Sequence, residues 1–174
     1  MRRVFSVLSL LLVFSLLVGC GASQITSENF HAEDRDFVID REATIQDTSE
    51  AREVLEVLAE YRRALIQKDF GTLNRIISQD YYSNAGTTHT TADNYGRAQL
   101  DEIFEMIAQH AEQVRYRISV KELVVDGVRA RVDFEYEYAY QFRVGDREEW
   151  DAGVDVMRME FAREGDRWRI IGGM

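Results

Sequence analysis

The chain has 174 residues, with 31 acidic against 21 basic side chains and a net charge of −10 at pH 7. That balance disfavours nucleic acid and anionic membrane surfaces as electrostatic partners. Proline is absent and there is a single cysteine, so breaks in regular structure depend on Gly, Asn and Asp, and no internal disulfide can form. The length suits one domain with a sizeable core.

The first twenty residues predict a lipoprotein signal peptide. Basic residues 2–3 precede an apolar run over 4–18, which is the layout of a secretory signal. This run would span only about 22 Å as a helix, short of the hydrocarbon core of about 30 Å, so it is not a membrane span. The sequence Leu-Val-Gly-Cys over residues 17–20 resembles the lipobox of bacterial lipoproteins. The resemblance implies cleavage before Cys20 and a lipid on its sulfur.

The lipobox resemblance sets the expected location of the protein. It implies a signal peptide over 1–19 and a cell-envelope protein attached to a membrane through Cys20. Gly21 follows the cysteine, and by the same resemblance the outer membrane is favoured over the inner membrane. A chance cysteine beside an ordinary cleavage site and an uncleaved anchor remain the alternatives.

Residues 20–48 are predicted to form an acidic tether. The segment has no sustained periodicity and carries many more acidic than basic side chains, so charge would keep it solvated. The apolar stretch Phe37-Val38-Ile39 is the exception. A short segment that docks on the domain is the alternative there.

Three helices are predicted next. Apolar residues spaced by three and four indicate an amphipathic helix from Ser49 to the Lys68-Asp69 pair, with Asp47 as its cap. A second helix is expected over 70–78, with Asp69 as a possible cap, and a third over about 95–113. The residues that define the face of the first helix are Ala51, Val54, Leu55, Leu58, Tyr61 and Leu65.

From Val114 onward the apolar period is two, which predicts a sheet. Asp126-Gly127 indicates a hairpin turn, and a long strand follows over 128–144 with one apolar, aromatic face. Its length of about 55 Å exceeds the expected domain diameter of about 40 Å, so the sheet must curve. Switches of parity predict bulges after Val120 and between Val156 and Met157.

Residues 49–174 resemble the nuclear transport factor 2-like superfamily. The resemblance depends on the order of elements, on Asp80-Tyr81 after the second helix, on Gly96-Arg97 opening the third, and on Gly-x-x-Trp-x-Ile over 165–170. It implies an α+β cone in which three N-terminal helices pack on a strongly curved antiparallel sheet. The cone of such proteins can hold a small molecule, and the superfamily includes ketosteroid isomerases, polyketide cyclases and binding modules.

The resemblance also bears on catalysis. In isomerase-like relatives a carboxylate base follows the second helix, but this chain has Asn84, Ala85 and Gly86 there. We therefore expect no catalytic residues and a module that binds a small apolar ligand or an envelope protein. The alternatives are an isomerase or cyclase that uses Asp80 with pocket tyrosines, and a structural spacer.

The candidate pocket residues combine aromatic surface with a polar tip. Ordinary core packing is the alternative for each aromatic residue. The set comprises Tyr61, Asp80, Tyr82, Tyr136, Tyr138, Tyr140 and Trp150.

No metal or cofactor is expected. The three histidines His31, His89 and His110 lack metal-ligand spacing, and phosphate-binding and dinucleotide motifs are missing. The outer face of strand 128–144 is charged, so burying it against a second copy would cost desolvation energy. A monomer is slightly favoured for this reason.

Overall fold

The computed structural model describes residues 23–31, 33–84 and 92–173. The predicted signal peptide, Cys20, Gly21, Ala85, Gly86 and His89 lie outside these residues. The elements in chain order are β1 (Phe37–Ile39), α1 (Ser49–Gln67), α2 (Phe70–Ile76), β2 (Tyr82–Ser83), β3 (Tyr95–Gly96), α3 (Arg97–His110), β4 (Ala111–Asp126), β5 (Arg129–Val144), β6 (Arg147–Glu164) and β7 (Arg167–Gly172).

The described strands form a five-stranded sheet in the order β1-β4-β5-β6-β7 and a small β2-β3 pair. Strands β4 to β7 are antiparallel, and β1 adds to β4 in parallel. Each hairpin turns on two residues that begin with a glycine of positive φ, at Gly127, Gly145 and Gly165. The predicted α+β architecture is confirmed, except that the sheet is mixed rather than purely antiparallel.

Local capping explains where the helices begin and end. Thr48, not the predicted Asp47, caps α1 by accepting the Ala51 N–H at 3.1 Å, while Asp47 instead binds Arg52. Lys68 ends α1 in the left-handed region at φ 55°. Asp69 caps α2 as predicted. Both α2 and α3 end earlier than the sequence indicated.

The core lies between α1 and one face of the sheet, here called the inner face. Helix α1 contributes Val54, Leu55 and Leu58, which are fully buried. They share one buried cluster with the alternate residues of β4 and β5 that point inward, such as Ile118 and Phe134. Removal of apolar surface from water, at about 25 cal/mol per Å², is the main term that holds these layers together.

The predicted tether is wrong for residues 23–48, because this segment packs on the domain. Residues 37–39 form β1, in register with residues 118–120 of β4, which confirms the alternative of a docked segment at that point. The apolar residues of this segment are dispersed among acids, so its average composition suggested a solvated tether although several of its apolar side chains are buried. The buried residues of the segment are Ile25, Phe30, Phe37, Ile39 and Ile45.

The bulge predicted between Val156 and Met157 is also wrong. The β5–β6 register runs without a shift from Arg129↔Ala162 to Val144↔Arg147. The apolar residues of 150–156 therefore lie on the outer face, where the exposed fractions of Val154 and Val156 are 65% and 73%. The predicted slip after Val120 is confirmed as a register shift between Val120 and Glu122.

The outer face of β4 and β5 is charged, as predicted, and its charges are paired. Arg131 contacts Glu122 at 3.1 Å, and Arg158 of β6 binds Asp133 at 2.6 Å. Such exposed pairs each contribute little to stability. Within the three described ranges, no helix is long and apolar enough to cross a membrane.

Candidate functional site

An aromatic row follows the inner face of β5. Because side chains alternate along a strand, Phe134, Tyr136, Tyr138, Tyr140 and Phe142 project to the same side. Their ring centroids succeed one another at 6.2, 6.0, 5.5 and 6.2 Å. We call these five residues the aromatic ladder.

Two buried tyrosines extend the aromatic contacts at the buried end of the ladder. Tyr116 of β4 stacks on Tyr136 at 5.3 Å, and Tyr61 of α1 meets Tyr116 edge-on at 6.2 Å. Phe134 is buried, whereas Tyr136, Tyr138, Tyr140 and Phe142 are only partly buried. The ladder thus runs from the core outward to an accessible surface.

Four phenols in and beside the ladder are kept protonated by their environment, namely Tyr61, Tyr116, Tyr136 and Tyr140. Burial raises the pKa of Tyr61 and Tyr116 far above the usual range, and neighbouring phenols add to the shift. Burial also raises the pKa of Tyr140 to about 12. The pKa of Tyr136 is raised by burial and then by the carboxylate of Asp155. These groups can therefore donate and accept hydrogen bonds as neutral phenols.

Strand β6 places two carboxylates beside the ladder. In the β5–β6 register Asp155 lies opposite Tyr136 and Asp151 lies opposite Tyr140, so all four side chains share the inner face. Gly153 lies between them, opposite Tyr138. A Cβ at Gly153 would come within 2.9 Å of the Tyr138 hydroxyl, so the glycine gives room for that ring to lie across β6.

Four of the seven predicted pocket residues come together: Tyr61, Tyr136, Tyr138 and Tyr140 belong to this cluster. Sequence reasoning missed Tyr116, although its place in the period-two pattern of β4 was a usable signal. It also missed Asp151 and Asp155, because a bulge was expected in β6 and the strand parity was therefore misread.

The other three predicted residues lie elsewhere. Asp80 is exposed, and its backbone N–H donates to the Ser78 hydroxyl at 3.0 Å. Tyr82 is 57% exposed and hydrogen-bonds to Asn94. Trp150 lies on the outer face, where the guanidinium of Arg115 sits 5.2 Å from its ring centroid.

The described histidines take no part in the cluster. His31 contacts Glu56 at 3.3 Å, and His110 is exposed at the end of α3. Among the described residues, no group of three or more His, Cys, Asp or Glu side chains is arranged to hold a metal ion.

Alkaline titration of the folded protein is expected to show Tyr61, Tyr116, Tyr136 and Tyr140 ionising above the ordinary value of 10.0. The folded state then binds more protons than the unfolded state, so this stability is present in full below about pH 10 and is lost as the pH rises through the folded pKa values. Tyrosinate absorbance in native buffer and in urea measures the difference. Identical curves in the two conditions would contradict the burial of the cluster.

Comparisons with known proteins identify the fold of the chain. No protein-family model and no curated protein matches the sequence. Solved structures do match. A candidate dehydratase of the nuclear transport factor 2-like family from Streptomyces avermitilis is 16% identical, with 72% of this chain and 93% of that chain covered and a TM-score of 0.59.

Two further structures agree with the first. A conserved protein from Planctomyces limnophilus is 15% identical, with 72% and 93% of the two chains covered and a TM-score of 0.60. A candidate scytalone dehydratase from Novosphingobium aromaticivorans is 12% identical, with 71% and 80% covered and a TM-score of 0.56. At such identities the likeness concerns the fold alone, and the chain has the nuclear transport factor 2-like fold.

Proposed function

We propose that the protein is a lipid-anchored, non-catalytic binding module of the bacterial cell envelope, with the outer membrane as its favoured location. Its ladder takes a small ligand with an apolar, aromatic body. The observation that carries the proposal is the partial exposure of Tyr136, Tyr138, Tyr140 and Phe142 on the inner face.

The packing of the ladder supports a ligand rather than core packing alone. Phe134, at the buried end of the ladder, is 1% exposed and belongs to the core. Farther along β5 each successive aromatic ring remains partly open, although an aromatic side chain gains free energy when its whole surface is buried. A planar apolar molecule would remove this surface from water, while the neutral phenols would bind its polar groups.

Catalysis is the weaker alternative. Two similar structures are named as candidate dehydratases, and acid–base chemistry of that type benefits from a carboxylate with a pKa adjusted by burial. Asp80 is exposed and outside the cluster, and Asp151 and Asp155 are also exposed. These positions favour binding over proton transfer.

An envelope protein partner is the second candidate. The outer face of β6 exposes Trp150, Val154 and Val156. Among the described strands β7 pairs with β6 only from Glu160 onward, so the edge beside this apolar surface could accept a strand from a partner with an extended apolar segment. This candidate would replace the first if the ladder binds no probe in the following test.

The binding test uses the full-length protein and 2-phenylethanol as a neutral aromatic probe. We expect saturable binding in calorimetry, weakened about fivefold by Tyr138→Ala, because one stacked aromatic contact is worth about 1 kcal/mol. Gly153→Ala should weaken binding as well, since the new Cβ would displace the Tyr138 ring. Tyr82→Ala is the matched control, because Tyr82 is exposed and outside the ladder.

Equal affinity for the wild type, Tyr138→Ala and Gly153→Ala would place the probe elsewhere and contradict the proposal. Loss of binding with Tyr82→Ala alone would do the same. A complete lack of binding would leave the spacer and the protein partner as the remaining functions.

A further inference from the structure

We propose that the ligand of the ladder carries a protonated amine, and that Asp151 and Asp155 bind its ammonium group. This inference rests on the proposed function and names the class of molecule that the site would take, an aromatic or apolar amine. It depends on where β6 places its charges relative to the rings.

The register of the sheet places each carboxylate beside a tyrosine of the ladder. Residues directly opposite in an antiparallel pair have Cβ atoms about 4.5–5.5 Å apart on the same face. Asp155 lies directly opposite Tyr136 in this way, and Asp151 lies directly opposite Tyr140. Since the Tyr138 ring lies across Gly153, the two carboxylates flank its hydroxyl from both sides along β6.

The charge of this surface is not compensated within the described residues. Asp151 and Asp155 form no ion pair there, whereas nearby acids of the sheet do. Asp133, for example, binds Arg158 at 2.6 Å. From the described residues Asp155 accepts one hydrogen bond, from the N–H of Val156 to Oδ1 at 2.7 Å. At least three carboxylate oxygens therefore remain available to a donor.

The basic side chains near this end of the sheet interact with groups other than these two aspartates. Arg115 stacks on Trp150 on the outer face, and Arg143 binds Glu112 at 2.6 Å. Arg147 begins β6 on the inner side and pairs with Glu149 at 3.4 Å. The accessible part of the ladder thus combines aromatic surface with uncompensated negative charge, which favours a cation and disfavours an anion.

An ammonium group also suits the hydrogen-bonding capacity of the site. It offers three N–H donors and no acceptor, while the carboxylates are acceptors and the neutral phenols supply further acceptor oxygens. The body of the ligand would cover the ring edges of the ladder. A carboxylate-bearing ligand would instead face repulsion from both aspartates.

The test compares three probes that share a phenyl ring on a two-carbon chain and differ in charge: 2-phenylethylamine, 2-phenylethanol and phenylacetate. Calorimetry on the full-length protein at low salt is expected to show the amine binding at least about fivefold tighter than the alcohol, and phenylacetate binding most weakly. In the double variant Asp151→Asn, Asp155→Asn the amine should bind no tighter than the alcohol, whose affinity should not change. Glu148→Gln is the control, because Glu148 lies on the outer face of the same strand.

The outcomes separate this inference from the proposed function. Equal affinities for the amine and the alcohol in the wild type would overturn the amine assignment and leave the ladder as a ligand site. An amine preference that survives in the double variant would overturn the role of the two aspartates. A lack of binding by all three probes would overturn both proposals.

Discussion

Replacing Arg62 with alanine is expected to lower the free energy of unfolding by about 3 kcal/mol, because hydrogen bonds to carboxylates are lost and the Tyr116 carbonyl loses its donor. The Arg62 side chain is 6% exposed and bridges three parts of the chain. Its Nε donates to the Tyr116 carbonyl at 2.7 Å, while Nη1 and Nη2 donate to Asp34 and Asp36 at 2.8 and 3.1 Å. Loss of the guanidinium therefore removes the side-chain hydrogen bonds that join the segment before β1 to α1 and β4.

Urea unfolding measures this effect, with Arg63→Ala as the matched control. Arg63 is the next residue of α1 and is only partly buried, so its replacement should change the free energy of unfolding by less than about 0.5 kcal/mol. A loss below about 1 kcal/mol for Arg62→Ala would mean that Arg62 is an ordinary surface charge. The docking of residues 23–31 and 33–48 would then depend on apolar contacts and on the backbone hydrogen bonds between β1 and β4.

Replacing Cys20 with serine is expected to abolish lipid labelling of the protein completely. The lipobox resemblance places the lipid on the sulfur, and a serine hydroxyl does not share the nucleophilicity of a thiol. Metabolic labelling with a radioactive fatty acid, followed by membrane fractionation, measures the effect. Ser23→Ala is the control and should be labelled like the wild type.

Two results would contradict the lipid anchor. Unchanged labelling of Cys20→Ser would place the lipid at another residue, and unchanged membrane retention without labelling would indicate an uncleaved anchor instead. Recovery of the labelled wild type in the inner-membrane fraction would contradict only the favoured outer-membrane location.

Strong local patterns allowed much of the fold to be predicted from the sequence. The first helix has apolar residues at consistent helical spacing, and apolar and polar residues alternate over the whole length of β5. In each case the spacing of apolar residues alone was sufficient to predict the element. Residues 23–48 had no such period. Their parallel strand β1 forms only because β4, some eighty residues later, offers a free edge near Ile118, and a contact so distant in sequence leaves no local signal.

The misreading of β6 has a different physical cause. A switch in apolar parity arises either from a bulge or from a strand that leaves the core and exposes apolar residues on its other face. Here the second explanation holds, because Met159 and Phe161 are buried on the inner face whereas Val154 and Val156 are exposed on the outer one. Only the partner strand distinguishes the two cases, and its register was not known from the sequence.

The same error decided how much of the candidate site could be predicted. Tyr136, Tyr138 and Tyr140 followed directly from alternation along β5. Asp151 and Asp155 follow only from the β5–β6 register. Trp150 was included as an aromatic residue with a polar tip, but the unbroken register places it on the outer face.

The most direct test of the ladder as a binding site is an NMR titration of the full-length protein with ring-labelled tyrosines, using 2-phenylethanol as the probe. The site predicts that the ring resonances of Tyr136, Tyr138 and Tyr140 shift in a saturable manner, while those of exposed Tyr82 do not. Shifts confined to Tyr82, or unchanged resonances for all three ladder tyrosines at saturating probe, would contradict it.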